Sequence, residues 1–327
     1  MDRREFMELS TRALALASAS AWSGKMLRDM IVDGPPARID AAAFNAMRRF
    51  ATTSFGKIAY VERGRGKVAL FLHGYPLNGF QWRGAIERLS GHRLCIAPDY
   101  MGLGYSEVAA EQSLAPEAQM EMIHALLETL SVSTVDIIAN DSGGAIAQLF
   151  VAKYPERVRS LLLTNCDTAI DSPPPSFMPI IALAKAGQFA DKSLVPQLAN
   201  KELARSAKGI GGLAYSNPLD PSDEVLEMYF RPLVSSELRK RQVEGYAIAL
   251  EQNALEGIEP ALRKCKVPTR ILWGMADRIF SSASPAWLDQ AFGNSKGVRA
   301  VEGAKLFFPE EMPDLIAEEA RRLWGVA

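Results

Sequence analysis

The stretch Val135-Asp136-Ile137-Ile138-Ala139-Asn140-Asp141-Ser142-Gly143-Gly144-Ala145-Ile146 limits the fold more than any other part of the chain. An apolar run suited to a buried strand passes into helix-forming sequence with no residues left over for a loop. The backbone must therefore turn sharply from strand to helix. Such a turn lifts one side chain above the sheet, and its crowding demands small residues two before and two after that position. Centring the turn on Asp141 places Ala139 and Gly143 there. Centring it on Ser142 places the bulkier Asn140 and Gly144, and lengthens the strand by one residue. Asp141 is the better crest and Ser142 the alternative. The small residues Gly144, Ala145 and Ala147 let the helix pack close to the sheet.

The flanking sequence repeats this alternation. VALFLH, RLCIAP, RVRSLLLTNC, RILWG and VRAVEG are short apolar runs of strand length, and IAYVE alternates before a GRG turn. MEMIHALLETL and PDLIAEEARRLW carry helical spacing, and the segment ahead of IAYVE reads as a polar, helix-like lead. Strands alternating with helices predict a mostly parallel, doubly wound α/β sheet. After the Pro-rich DSPPPSFMP the strand pattern stops and helical segments follow as far as Lys266. Residues 50–167 and 267–327 are thus expected to form the core, with 168–266 an inserted helical lid. The chain has 327 residues and a formal net charge of −1, with no basic run to track phosphates and no apolar stretch long enough to span a bilayer. Nucleic acid and a membrane span drop out as expectations, and a small-molecule partner remains. The oligomeric state is not legible.

Three further motifs follow in order: His73-Gly74-Tyr75-Pro76 after VALFL, Asp99-Tyr100-Met101-Gly102-Leu103-Gly104-Tyr105-Ser106, and Trp273-Gly274-Met275-Ala276-Asp277. With the aspartate turn, HGYPLNGFQWR and APDYMGLGYSE, the chain resembles the α/β-hydrolase superfamily, and within it the epoxide hydrolase and haloalkane dehalogenase branch. The resemblance runs from about Phe55 to Trp324 and is weakest in the lid. It implies an α/β-hydrolase fold with Asp141 as the nucleophile. The backbone amides of Tyr75 and Ser142 would form the oxyanion hole. Asp277 would be the acid that orients a histidine, although some relatives carry their acid where Asp167 stands. His73 would hold its loop, and Trp82 would pack there.

The resemblance breaks at the histidine. The family places it in a stretch like G-H-F-P-x-E-E-x-P after the last strand. Here the text is Gly303-Ala304-Lys305-Leu306-Phe307-Phe308-Pro309-Glu310-Glu311-Met312-Pro313. Aligning on the downstream EExP puts Leu306 at that position, and a gap would bring Lys305 there. The other histidines, His92 and His124, fall before a strand and within a helix. A carboxylate can attack an sp3 carbon unaided, but hydrolysis of the resulting ester needs an activated water. Three outcomes follow: a substitute base such as Glu310, Lys305 or Asp167; non-hydrolytic chemistry; or binding without turnover. Ser142 stands where dehalogenases of the branch carry a halide-holding Trp. Epoxide hydrolases use lid tyrosines as acids, which makes Tyr215, Tyr229 and Tyr246 candidates. A Ser142 esterase and an interaction module built on the lid are the remaining alternatives.

No cofactor or metal is expected, since Cys95, Cys166 and Cys265 sit in or beside apolar runs without metal-ligand spacing. The first 24 residues, with Arg3-Arg4, Phe6, an Ala/Leu run and Ala-x-Ala at Ala17 to Ala21, resemble a twin-arginine export signal, which would make the protein periplasmic; the alternative is an amphipathic N-terminal helix on a cytoplasmic enzyme.

Overall fold

The computed structural model describes residues 39–326; the export-signal reading lies outside them. Eight strands form one sheet in the order β1-β2-β4-β3-β5-β6-β7-β8. They are β1 Arg48–Thr53, β2 Gly56–Arg63, β3 Val68–Leu72, β4 Leu94–Pro98, β5 Val135–Asp141, β6 Val158–Cys166, β7 Thr269–Gly274 and β8 Ser295–Val301. The run from β4 to β8 is parallel throughout, while β1 and β2 pair antiparallel at one edge. Every residue of β3 and β5 is buried, as expected for strands covered on both faces. The helices Pro116–Thr129 and Ser142–Lys153 pack together, as do Arg83–Leu89 and Pro313–Trp324.

The lead segment departs from its sequence reading. A short helix, Ala41–Met47, capped by Asp40 through the Ala43 amide, gives way directly to β1. This strand is an edge strand with Phe50 exposed and Ala51 buried, so its polar composition hides it. One charged side chain sits inside β5: Asp136 accepts from Arg93, Arg159 and Ser160 at 2.7–2.8 Å. That pairing satisfies the buried carboxylate at the start of the strand, well away from the turn at its end.

Between β6 and β7 the described residues form helices and no strand. The lid is built from short helices with frequent caps and prolines. Asn200, Ser222 and Ser236 cap Lys201–Arg205, Asp223–Phe230 and Glu237–Ala249. The last helix before β7, Glu259–Lys264, packs instead on the core helices Ser142–Lys153 and Ser284–Ala291. Among the described residues no helix is long and apolar enough to cross a membrane.

Candidate active site

The strand-to-helix turn has its crest at Asp141, whose φ of 57° and ψ of −135° put a side-chain-bearing residue in a region that normally favours glycine. The small neighbours are enforced by space. A Cβ on Gly143 would lie 2.6 Å from the carbonyl oxygens of Leu72 and His73, and one on Gly144 would lie 2.2 Å from the Cys166 Cβ. Gly74 on the facing loop is equally constrained, with a Cβ there meeting the Asp141 Cβ at 2.6 Å. Ser142 already belongs to the helix, and its hydroxyl faces the Tyr246 hydroxyl at 3.4 Å.

Two backbone amides fix the Asp141 carboxylate. Tyr75 and Ser142 donate to Oδ1 at 3.1 and 2.5 Å. The Ser142 hydroxyl also favours the charged carboxylate, and Asp141 lines a cavity of about 250 Å³ beneath the lid. The cavity wall is mainly apolar, with Phe177, Phe189, Leu194, Phe230, Leu306 and Phe307 among its residues. Burial pushes the Asp141 carboxyl up to about 6; the Ser142 and Tyr75 amides oppose that rise, and the charge of Asp277 adds to it.

Asp277 follows β7 and is held by the Asn165 side chain and the Ile279 amide, both at 2.8 Å. Burial raises its carboxyl as well. Asp167 follows β6, next to the strand that ends in Asp141. Burial, and then the charge of Asp141, push it up to about 8. Tyr246 is the lid tyrosine that reaches the turn, through Ser142. Burial raises its hydroxyl, and Asp141 and Asp167 raise it further.

The remaining sequence candidates gather elsewhere. The Tyr215 and Tyr229 hydroxyls donate to Glu310 Oε2 at 2.7 and 2.8 Å, while Glu310 Oε1 takes a 2.6 Å bond from Arg83. These three candidates thus meet one another and do not line the cavity with Asp141. The Lys305 ammonium donates to the Gly212 carbonyl at 2.7 Å and faces a neighbouring cavity. Leu306 is buried and its side chain lines the Asp141 cavity.

None of the three histidines lines that cavity. His73 is buried, accepts from the Tyr100 amide at 3.2 Å and bonds the Gly74 carbonyl at 2.9 Å; burial lowers its pKa to about 4, so it is neutral. His92 lies in the turn leading into β4. His124 bonds Arg157, which immediately precedes β6. Both therefore sit towards the strand starts, opposite the turn.

Sequence reasoning missed the polar frame that positions this loop. Asn140 donates to Thr164 Oγ1 and to the Asn165 and Leu306 carbonyls at 2.8–3.0 Å, and accepts from Gln81 at 2.7 Å. Polar residues ending otherwise apolar strands, Asn140 in IIAND and Asn165 in LLLTNC, were the available signal.

A carboxylate raised on a strand-to-helix turn, with one oxygen held by two amides and the side chain lining an apolar cavity under a helical lid, is the arrangement a hydrolase-type scaffold presents. The family model described as alpha/beta hydrolase fold matches residues 68–311, and the chain belongs to that family. It is related to epoxide hydrolases and haloalkane dehalogenases. The soluble epoxide hydrolase of Corynebacterium sp. (strain C12) is 26% identical over 281 residues, covering 82% of this chain and 94% of the relative. A haloalkane dehalogenase of Agrobacterium fabrum is 28% identical over 288 residues, covering 83% and 89%. A cis-3-alkyl-4-alkyloxetan-2-one decarboxylase of Shewanella oneidensis is 29% identical over 121 residues, only 36% of this chain and 38% of the relative. An epoxide hydrolase structure without ligand superposes with a TM-score of 0.69 at 23% identity, covering 85% of this chain and 98% of its own.

Proposed function

We propose that this chain is an enzyme in which Asp141 attacks an sp3 carbon of a small apolar substrate of the epoxide or alkyl halide type. The observation that carries the reading is the division of labour on one carboxylate. Oδ1 is fixed by the Tyr75 and Ser142 amides, Oδ2 accepts from no backbone amide of the described residues, and the side chain lines the cavity. An Oδ2 lone pair forms the new C–O bond, and the leaving electron pair departs on halide or on the ring oxygen. In the epoxide case the ring oxygen takes up a proton, and Tyr246, held by Ser142 beside the turn, supplies it by turning into the cavity, whose wall it does not line at rest. The product is an alkyl ester on Asp141. Leu306, at the position the family gives to histidine, cannot activate water. The ester therefore persists, and any slow release draws on Asp277, or on Asp167 once pH exceeds its value of about 8, the two carboxyls whose charges act on or are acted on by Asp141.

Incubation with 1,2-epoxyoctane should add the mass of the epoxide to the peptide containing Asp141, and Asp141→Asn should abolish the adduct. Leu306→His should restore release, raising turnover by about 10²-fold or more, the usual contribution of a positioned base. Absence of an adduct across a panel of epoxides and alkyl halides would overturn the reading. It would favour a catalytically silent binding protein, which the apolar Leu306 in the cavity wall also supports. The partial likeness to an enzyme named as a decarboxylase supports non-hydrolytic chemistry as a further outcome; product analysis would reveal it as a product that has gained no water.

A further inference from the structure

The charged groups around the cavity are unevenly placed. Asp141 is its only acidic lining residue and lies at the buried end, and Lys208 is its only cationic one and is exposed. The Lys208 ammonium makes no hydrogen bond or ion pair among the described residues. A second cavity shares the wall residues Phe177, Ile180, Leu213 and Ile279 with the first, and its charged lining consists of Arg278 and Lys305. The Arg278 guanidinium is likewise exposed and without a partner among the described residues. Lys208 thus stands exposed at the rim of the Asp141 cavity, and Arg278 and Lys305 line the neighbouring cavity across the shared wall, where no carboxylate joins them.

We infer that the cavity takes an amphiphile whose apolar chain runs down to Asp141 and whose anionic head, a carboxylate or similar group, stays at the rim beside Lys208, with Arg278 of the neighbouring cavity adding to the positive field. This deepens the proposed function by naming the substrate class of the same site. An anionic head suits that end alone, because at the inner end it would meet the carboxylate of Asp141. The size also fits. The cavity of about 250 Å³ has room for an alkyl chain of medium length.

Two measurements test this separately from the chemistry at Asp141. The first is equilibrium binding of octanoate and of 1-octanol to the full chain. Octanoate should bind more tightly, and raising the salt from low to about 0.5 M should weaken octanoate alone, since exposed charges are screened at that strength. Lys208→Glu should weaken octanoate about 3- to 5-fold and leave 1-octanol within about 1.5-fold, a range suited to an exposed charge pair. Arg278→Glu should act in the same direction, and unchanged octanol affinity certifies that each variant is folded. The second is adduct formation with 7,8-epoxyoctanoate against 1,2-epoxyoctane, where the anionic epoxide should react faster at low concentration. Equal affinity for octanoate and octanol, or equal losses in the variants, would overturn the inference, as would failure of both probes to bind. An Asp141 adduct with 1,2-epoxyoctane in the absence of charge discrimination would sink this inference and leave the nucleophile standing.

Discussion

Asp141 is pulled in two directions. Burial disfavours its charged form, while two amides aimed at Oδ1 favour it, and the balance leaves the carboxyl near 6 instead of in the ordinary carboxylate range. Only the deprotonated form has the electron pair that attacks carbon. The rate of adduct formation should therefore climb as pH rises through about 6 and level off by pH 7.5. Mass spectrometry of the Asp141 peptide at a series of pH values between 4.5 and 8 would record the curve. A rate already at its plateau at pH 5 would mean that the carboxyl is not raised. The position of this residue was legible in the sequence because a strand-to-helix turn demands small residues about its crest. The atoms that exclude a Cβ at Gly143 are the Leu72 and His73 carbonyls of the neighbouring strand end, and of the two amide donors Tyr75 comes from the loop after that equally readable strand while Ser142 belongs to the turn.

At the scale of elements, the loop carrying Leu306 is stitched to the lid. The Phe307 amide donates to the Ala214 carbonyl, the Lys305 amide to Ser216 Oγ, and the Lys305 ammonium to the Gly212 carbonyl. Glu311 accepts from the Ser216 amide and hydroxyl and from the Asn217 amide, each at 2.9 Å. Glu310 closes the seam by binding Arg83, Tyr215 and Tyr229 at once. Glu310→Ala would strand a buried guanidinium and two buried hydroxyls, and should cost on the order of 3–5 kcal/mol in a denaturant titration. Glu310→Gln keeps an acceptor for the phenols and should cost less. A loss below about 1 kcal/mol in the alanine variant would show that the seam does not hold the lid. None of this pairing could be read from the sequence. The EExP text showed that Glu310 was present, but its partners come from the lid and from the helix Arg83–Leu89, far away in the chain. Strand β1 was hidden for a different reason: its outward Phe50 and polar neighbours lack the apolar run that marked the central strands.

Over the whole molecule, the parallel order β5-β6-β7 brings the strand ends bearing Asp141, Asp167 and Asp277 side by side, which is where open α/β sheets place their sites. All three carboxyls are raised chiefly by burial, and the cavity that Asp141 lines has no buried cation in its wall. Asp167, at about 8, is protonated at neutral pH in the folded protein and ionised in the unfolded chain. Between the unfolded value near 4 and the folded value near 8, the native state thus binds the extra proton. Stability must fall as pH rises through that window, by at most about 1.4 kcal/mol per pH unit for one proton. Asp141 adds to the fall only below about 6, so the span from 6 to 8 isolates Asp167 among the groups with values in this range. Asp167→Asn is nearly isosteric and carries no charge to desolvate. Denaturant midpoints of the wild-type chain should decline from pH 6 to 8.5, and those of the variant should stay nearly level. Parallel declines would mean that the carboxyl at the end of β6 is ionised in the native state, and that the fold carries that charge at no net cost.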